Sequence, residues 1–245
     1  DGKSVENPHL AGGWEPVVGE ARLRGLRVRG EVPAHLQGGI YLRNGPNPVL
    51  RPAKPQDYHL FDGHGMIHMV TFGSGSDQEV DSAYCRRYVS TRALALELGA
   101  GRSLYTGMRN MLPEFPGFLV LLREKLFGVG PDSPYWVVQT RNPANNGCTV
   151  HAGRVLATWE AGFAYDVRLP DLETRGVCDF NGTASALDVL NDNISAHGKV
   201  DPNTGELVTV SYNMIEQPPW VKVITVDSAG SIVRRVKVPL PSPPA

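Results

Sequence analysis

Glycine and proline interrupt this chain so often that long secondary elements have little room: 27 glycines and 20 prolines are spread over 245 residues. Glycine supplies backbone angles that other residues resist, and proline removes an amide donor, so both tend to end strands and helices. The segments between them are short, and several alternate apolar with polar side chains, the period of a strand buried on one face. Strands are expected over residues 38–43, 66–72, 137–140, 154–159, 207–212 and 221–226. Two turns carry specific chemistry. In Asp201-Pro-Asn-Thr-Gly205 proline presets φ and glycine supplies a positive φ, while Asp227-Ser-Ala-Gly230 separates two apolar runs; each predicts a hairpin. From Glu206 onward the order strand, loop, strand, turn, strand is that of an antiparallel blade. An all-β class follows, with propeller, sandwich and barrel all compatible with the punctuation.

The stretch 92–128 breaks the pattern. Ala93-Leu-Ala-Leu-Glu-Leu and Phe118-Leu-Val-Leu-Leu-Arg-Glu-Lys-Leu-Phe127 place helix formers at helical spacing, so a helical insertion is expected between strands. Its plainer reading is a cap packed over the sheets. Its functional reading is an apolar surface for peripheral contact with a membrane, from which a lipid-soluble substrate is lifted.

Charge removes one class of partner. With 24 basic against 25 acidic residues the formal net charge is -1, so no strong field draws in nucleic acid or an anionic surface. The three cysteines, Cys85, Cys148 and Cys178, lie far apart and form neither a CxxC motif nor a disulfide framework, which suits a reducing compartment. The longest apolar run, residues 118–122, is far below the ~20 residues that a spanning helix requires. The first residue is Asp1 and the last stretch is proline-rich, so a truncated chain is expected, and no targeting segment is legible.

Two neighbouring motifs are more informative than any bulk property: Gly39-Ile-Tyr-Leu-Arg-Asn-Gly-Pro-Asn-Pro48 and Tyr58-His-Leu-Phe-Asp-Gly-His-Gly-Met-Ile-His68. Further matches follow in order: Tyr84-Cys-Arg-Arg-Tyr-Val89, Ala144-Asn145, Val155-Leu-Ala-Thr-Trp-Glu160, Leu172-Glu-Thr-Arg-Gly176, Ser195-Ala-His-Gly-Lys-Val-Asp-Pro202 and Thr204-Gly-Glu-Leu207. This series resembles the N-terminal part of the carotenoid cleavage oxygenases, from about residue 7 to 241. The resemblance implies a seven-bladed β-propeller with a helical cap, of which residues 1–245 form roughly the first half as one incomplete domain. It also implies Fe(II) on the propeller axis, held by four histidines from different blades.

By that resemblance, His197 is the one iron ligand among seven histidines, and imidazole is a donor suited to Fe(II). Glu160 resembles a carboxylate that orients an iron-binding histidine through a hydrogen bond without touching the metal. Gly198 departs from the family, which commonly has proline there, and loosening of the ligand's backbone is expected. Residues 181–193 also depart and suggest a longer loop. His64 and His68 are read as structural, with Gly63 and Gly65 making a tight turn into a strand and His64 standing where the family usually has aspartate. His9, His35, His59 and His151 are read as structural too. Arg43-Asn-Gly-Pro-Asn47 and Phe61-Asp-Gly63 are expected to shape turns.

The implied reaction is oxidative cleavage of a carotenoid or apocarotenoid double bond by O₂, in a plastid or otherwise in the cytoplasm, with the other three ligands beyond Ala245 and the given residues inactive alone. The rival reading is a non-catalytic propeller that binds an apocarotenoid or a protein partner.

Overall fold

The computed structural model describes residues 7–50, 52, 55–74, 82–104, 142–160, 162–184, 193–213 and 220–241. Their strands form three four-stranded antiparallel sheets. The first is built from β1 (Ala21–Arg24), β2 (Ile40–Asn47), β3 (His64–Thr71) and β4 (Ala83–Tyr88), in the order β1-β4-β3-β2. The second holds β5 (Gly147–His151), β6 (Arg154–Thr158), β7 (Tyr165–Arg168) and β8 (Glu173–Val177), side by side in chain order. The third runs β12-β11-β10-β9, from β9 (Lys199–Val200), β10 (Leu207–Asn213), β11 (Trp220–Val226) and β12 (Ile232–Pro239).

The sheets stack face to face like consecutive blades of a β-propeller. Strand pleating sends alternate residues to opposite faces, and two apolar layers result. Ile67, Met69 and Cys85 of the first sheet pack on Val155, Ala157 and Val167 of the second. Leu156, on the second sheet's other face, joins Phe163, Phe180 and Ile194 against Leu207, Ile224, Val226 and Ile232 of the third. Each layer removes branched and aromatic side chains from water, which drives the stacking.

Both expected hairpins form. Asp201 and Gly205 close the β9–β10 turn, with Gly205 N–H donating to the Asp201 carbonyl at 2.8 Å and Gly205 at φ +72. In the β11–β12 turn the Asp227 carboxylate accepts from Ser231 N–H at 2.8 Å, and Gly230 takes φ +96. Of the expected strands only residues 137–140 lie outside the described residues. The expected insertion begins with α1 (Arg92–Ala100), capped by the Thr91 hydroxyl at Leu94 N–H and ended by Gly101 in the left-handed region. The rest of that insertion, residues 105–128, and residues 185–192 of the expected longer loop fall outside the described residues. Among the described residues, no helix is long and apolar enough to cross a membrane.

Two motif readings need correction. Arg43-Asn-Gly-Pro-Asn47 is not a turn: it lies within β2, paired in register with Met66, Ile67 and His68 of β3. Gly63 does end the 3-10 turn Leu60–Asp62 that leads into β3, and Gly65 lies within β3, but what requires glycine at both is close approach, because a Cβ on Gly63 would stand 2.5 Å from Asn47 N and one on Gly65 2.2 Å from the Ala144 carbonyl oxygen. Neither position takes a positive φ.

Candidate metal centre

The three sheets bring β2, β5 and β9 to one edge of the stack, and asparagine amides stitch that edge together. Asn44 on β2 donates to the Ala144 and Gly147 carbonyls at 2.7 and 2.9 Å, and Asn145 returns the link to the Gly63 carbonyl at 2.7 Å. Side-chain amides bridge where neither chain offers a ladder, and so satisfy buried carbonyls.

His197 lies on the segment that enters β9. That segment is held on one side by β10, where Ser195 N–H donates to the Val210 carbonyl at 2.9 Å and Tyr212 N–H to the Asn193 side-chain oxygen at 3.0 Å. On the other side Ile194 N–H donates to the Gly162 carbonyl at 2.9 Å, and the Asn193 amide to the Glu160 carbonyl at 2.7 Å. Gly147 lets this segment approach β5, since a Cβ there would stand 2.5 Å from the Ala196 carbonyl oxygen.

Glu160 meets His197 in space although 36 residues separate Glu160 from Ala196 alone. Its Oε1 accepts from Ala196 N–H at 3.2 Å and lies 3.1 Å from His197 Nε2. The carboxylate is thus anchored by backbone before it engages the ring. His197 N–H donates to Ser195 Oγ at 3.2 Å, which bends the backbone at His197. The histidine side chain is 79% exposed and that of Glu160 29%. One ring nitrogen on a carboxylate leaves the other with its lone pair, the arrangement of a metal-binding histidine with an outer carboxylate. Tyr212 stands near this pair, and burial, helped by the Glu160 charge, pushes its phenol above the ordinary range.

Gly198 is tightly placed and does not take a positive φ: a Cβ there would meet Leu207 Cδ1 at 3.1 Å and Thr209 Cβ at 3.2 Å. Packing against β10, and not an unusual backbone angle, is therefore the local reason for glycine after His197.

The remaining histidines serve elsewhere. His64 Nε2 lies 2.5 Å from Glu97 of α1, with both side chains buried. His68 Nδ1 bonds the Tyr84 hydroxyl at 2.7 Å, and burial, with Arg43 and Arg86 adding, holds its pKa below the ordinary value. His151 Nε2 bonds the Gly205 carbonyl at 3.0 Å, and His59 Nδ1 accepts from Phe61 N–H at 3.2 Å. Among the described residues, no three metal-ligating side chains converge. Asn193 and Ser195, which position the histidine, carry no sequence signal as site residues; their roles come from β10 beside them.

The family model described as retinal pigment epithelial membrane protein matches residues 14–245. The chloroplastic 9-cis-epoxycarotenoid dioxygenase NCED6 of Arabidopsis thaliana is 36% identical over 243 residues, which take in 96% of this chain and 38% of that protein. A carotenoid cleavage oxygenase of Mycobacterium tuberculosis is 36% identical over 208 residues, covering 85% of this chain and 34% of that one. Among solved structures, the lignostilbene dioxygenase of Pseudomonas brassicacearum superposes with a TM-score of 0.72 at 24% identity, covering 96% of this chain and 43% of the other. A cobalt-substituted Synechocystis apocarotenoid oxygenase gives 0.68 at 24% identity, covering 93% and 43%. The chain thus spans well under half the length of each of these proteins.

Proposed function

The chain belongs to the carotenoid cleavage oxygenase family, and from that premise we propose that the complete protein is a non-haem Fe(II) dioxygenase that splits a double bond of a carotenoid or apocarotenoid with O₂. The observation that carries this reading is the His197–Glu160 pair, an exposed imidazole with a backbone-anchored carboxylate at 3.1 Å.

His197 would hold the metal, and Glu160 would align the imidazole and fix its tautomer by accepting its other N–H. Nitrogen donors suit Fe(II), so the donor present fits the ion. When bound, the iron supplies the redox chemistry of O₂ toward an alkene that ends in two carbonyl products. The residues of this chain set the ring in place beforehand: Ser195 and Asn193 tie its backbone to β10, and Glu160 ties it to the end of β6. Such preorganisation matters because misplacement of a ligand by even an ångström is costly to a catalytic site.

Activity belongs to the complete protein in this reading. One imidazole does not hold catalytic iron, so residues 1–245, taken as a single incomplete propeller domain with its insertion near 92–128, are inactive alone. Chloroplastic relatives support a plastid setting. Peripheral membrane contact through the insertion is part of the same reading, supported by the exposed Leu98 on α1.

Iron analysis of the complete protein tests it. Stoichiometric iron that is lost in His197→Ala, with an unchanged circular dichroism spectrum, is the expected result. A complete, folded protein that holds no iron sinks the enzyme reading and leaves a binding propeller.

A further inference from the structure

Three asparagine–glycine pairs occur in the chain, and the fold treats them differently. Asn44-Gly45 lies inside β2, opposite Ile67 and Met66 of β3, with the Asn44 amide spent on two backbone carbonyls. Asn146-Gly147 leads into β5: Asn146 N–H donates to the Thr158 carbonyl at 3.0 Å, and Gly147 is paired with Thr158 and pressed against Ala196. Asn181-Gly182 belongs to no strand, and both of its residues are exposed.

Phe180, Asn181 and Gly182 take φ of +50, +58 and +74, three consecutive residues in a region that side chains resist. They are held there by bonds across the joint between the second and third sheets. Arg154 of β6 donates to Asn181 Oδ1 at 2.9 Å, and Asn181 Nδ2 donates to the Ala229 carbonyl at 2.9 Å and to Ser231 Oγ at 3.2 Å. The guanidinium is itself steadied by Cys178 Sγ at 3.8 Å and Asp166 at 4.0 Å. Gly182 N–H donates to nothing among the described residues.

These contacts are the ones an acyl transfer needs. Glycine has no side chain to keep its nitrogen from closing on the Cγ of the preceding asparagine. Arg154 draws electron density from Cγ through Oδ1 and meets the negative charge that grows on that oxygen, as donors of an oxyanion site do. Ser231 Oγ, already against Nδ2, is placed to pass its proton to the departing nitrogen.

We propose that Asn181 is a self-modification site of the folded protein, converting to aspartate and isoaspartate without another enzyme. The Gly182 nitrogen gives its proton to hydroxide and bonds to Asn181 Cγ. The Cγ–Nδ2 bond then breaks, and ammonia leaves with a proton from Ser231 that water returns. Water opens the cyclic imide at either carbonyl, so the net change is one water taken up and one ammonia released. The product carboxylate has no proton for the Ala229 carbonyl, and the tie to the β11–β12 turn is lost there. The inference uses neither the iron nor the substrate of the proposed function.

The test holds the complete protein at mildly alkaline pH, with peptide mass spectrometry reading amide loss and isoaspartyl methyltransferase labelling reading isoaspartate. In the folded protein Asn181 should react at least ~10-fold faster than Asn44 and Asn146, which wait for their ladders to open. Unfolding in urea should bring the three rates together. Arg154→Met should slow Asn181 severalfold in the folded protein and leave its rate in urea unchanged. Ser231→Ala, which keeps the backbone bonds of the turn, should slow it as well. An Asn181 that keeps its amide in the folded protein, or reacts no faster than Asn44 and Asn146, overturns the proposal, as does selectivity that persists in urea. Unchanged or faster conversion in a folded Arg154→Met or Ser231→Ala protein overturns it too, because those contacts would then protect the amide and not activate it.

Discussion

Two histidine–glutamate pairs in this molecule are built from the same side chains and placed in opposite settings. His64 and Glu97 face each other at 2.5 Å with side-chain exposures of 2% and 3%. The second glutamate oxygen of that pair accepts from Leu104 N–H at 2.9 Å and Ser103 Oγ at 3.1 Å, so the carboxylate joins the start of β3 to the chain leaving α1. His197 and Glu160 face each other at 3.1 Å on a surface where the ring is 79% exposed. The interior pair is closed to water with both Glu97 oxygens engaged, although His64 Nδ1 is buried without a hydrogen-bond partner among the described residues, and it acts as a fastener for the insertion. The outer pair keeps an open imidazole, which is the condition for receiving something from outside. Both carboxylates are anchored by a backbone N–H, so what separates the two pairs is solvent access.

The contrast can be broken most forcefully at Glu97. Glu97→Ala leaves buried His64 without its acceptor and frees Ser103 and Leu104, and the expected loss is about 3 kcal/mol, measured by denaturant unfolding of the complete protein. A loss below about 1 kcal/mol would show that the interior pair is not a fastener. Replacement of His64 by aspartate, the residue the family usually has there, sets a second carboxylate against Glu97 in a site closed to water. About 2 kcal/mol should be lost, and hydrogen exchange of residues 92–104 should rise before global unfolding does. If stability is unchanged, Glu97 has turned to other partners.

The outer pair should respond in the reverse sense. His197→Ala in iron-free complete protein is expected to stay within about 0.5 kcal/mol of the unmutated stability, the range of an exposed substitution, while bound iron disappears. A large loss of iron-free stability would make His197 another fastener. Smallest of all is the effect on Tyr212. Burial and the Glu160 charge both hold its phenol above the usual range, so Glu160→Gln should move its ionisation to lower pH, as followed by ultraviolet titration. No downward movement would place the carboxylate away from β10.

Several elements were legible before any coordinates. The short apolar-rich runs of β2, β3, β6, β10 and β11 announce strands, β6 being buried on both faces, and the aspartate and glycine of the two hairpins act where expected. Other strands are not legible in their own residues. β9 has two residues, and β8, Glu-Thr-Arg-Gly-Val, offers only its final valine to the core. Both exist because β10 and β7 present a ladder to them, a preference that belongs to the neighbour and not to the strand. Arg43-Asn-Gly-Pro-Asn47 misled for a related reason: its residues favour turns locally, but β3 holds all eight positions of β2, these five included, in register.

The candidate site divides in the same way. The motif around His197 and the position of Glu160 could be named from resemblance, as could the structural use of His64 and His68. What the sequence by itself determined is therefore local: where strands can run, where the chain must turn, and which imidazole carries the family's signature. Only the tertiary structure decided that Glu97 belongs to His64 and Glu160 to His197, and that Gly63, Gly65 and Gly147 are spaces for another segment's backbone. Contacts of that kind depend on which sheets stack, and stacking is settled by the apolar layers between them, a sum over residues far apart in sequence.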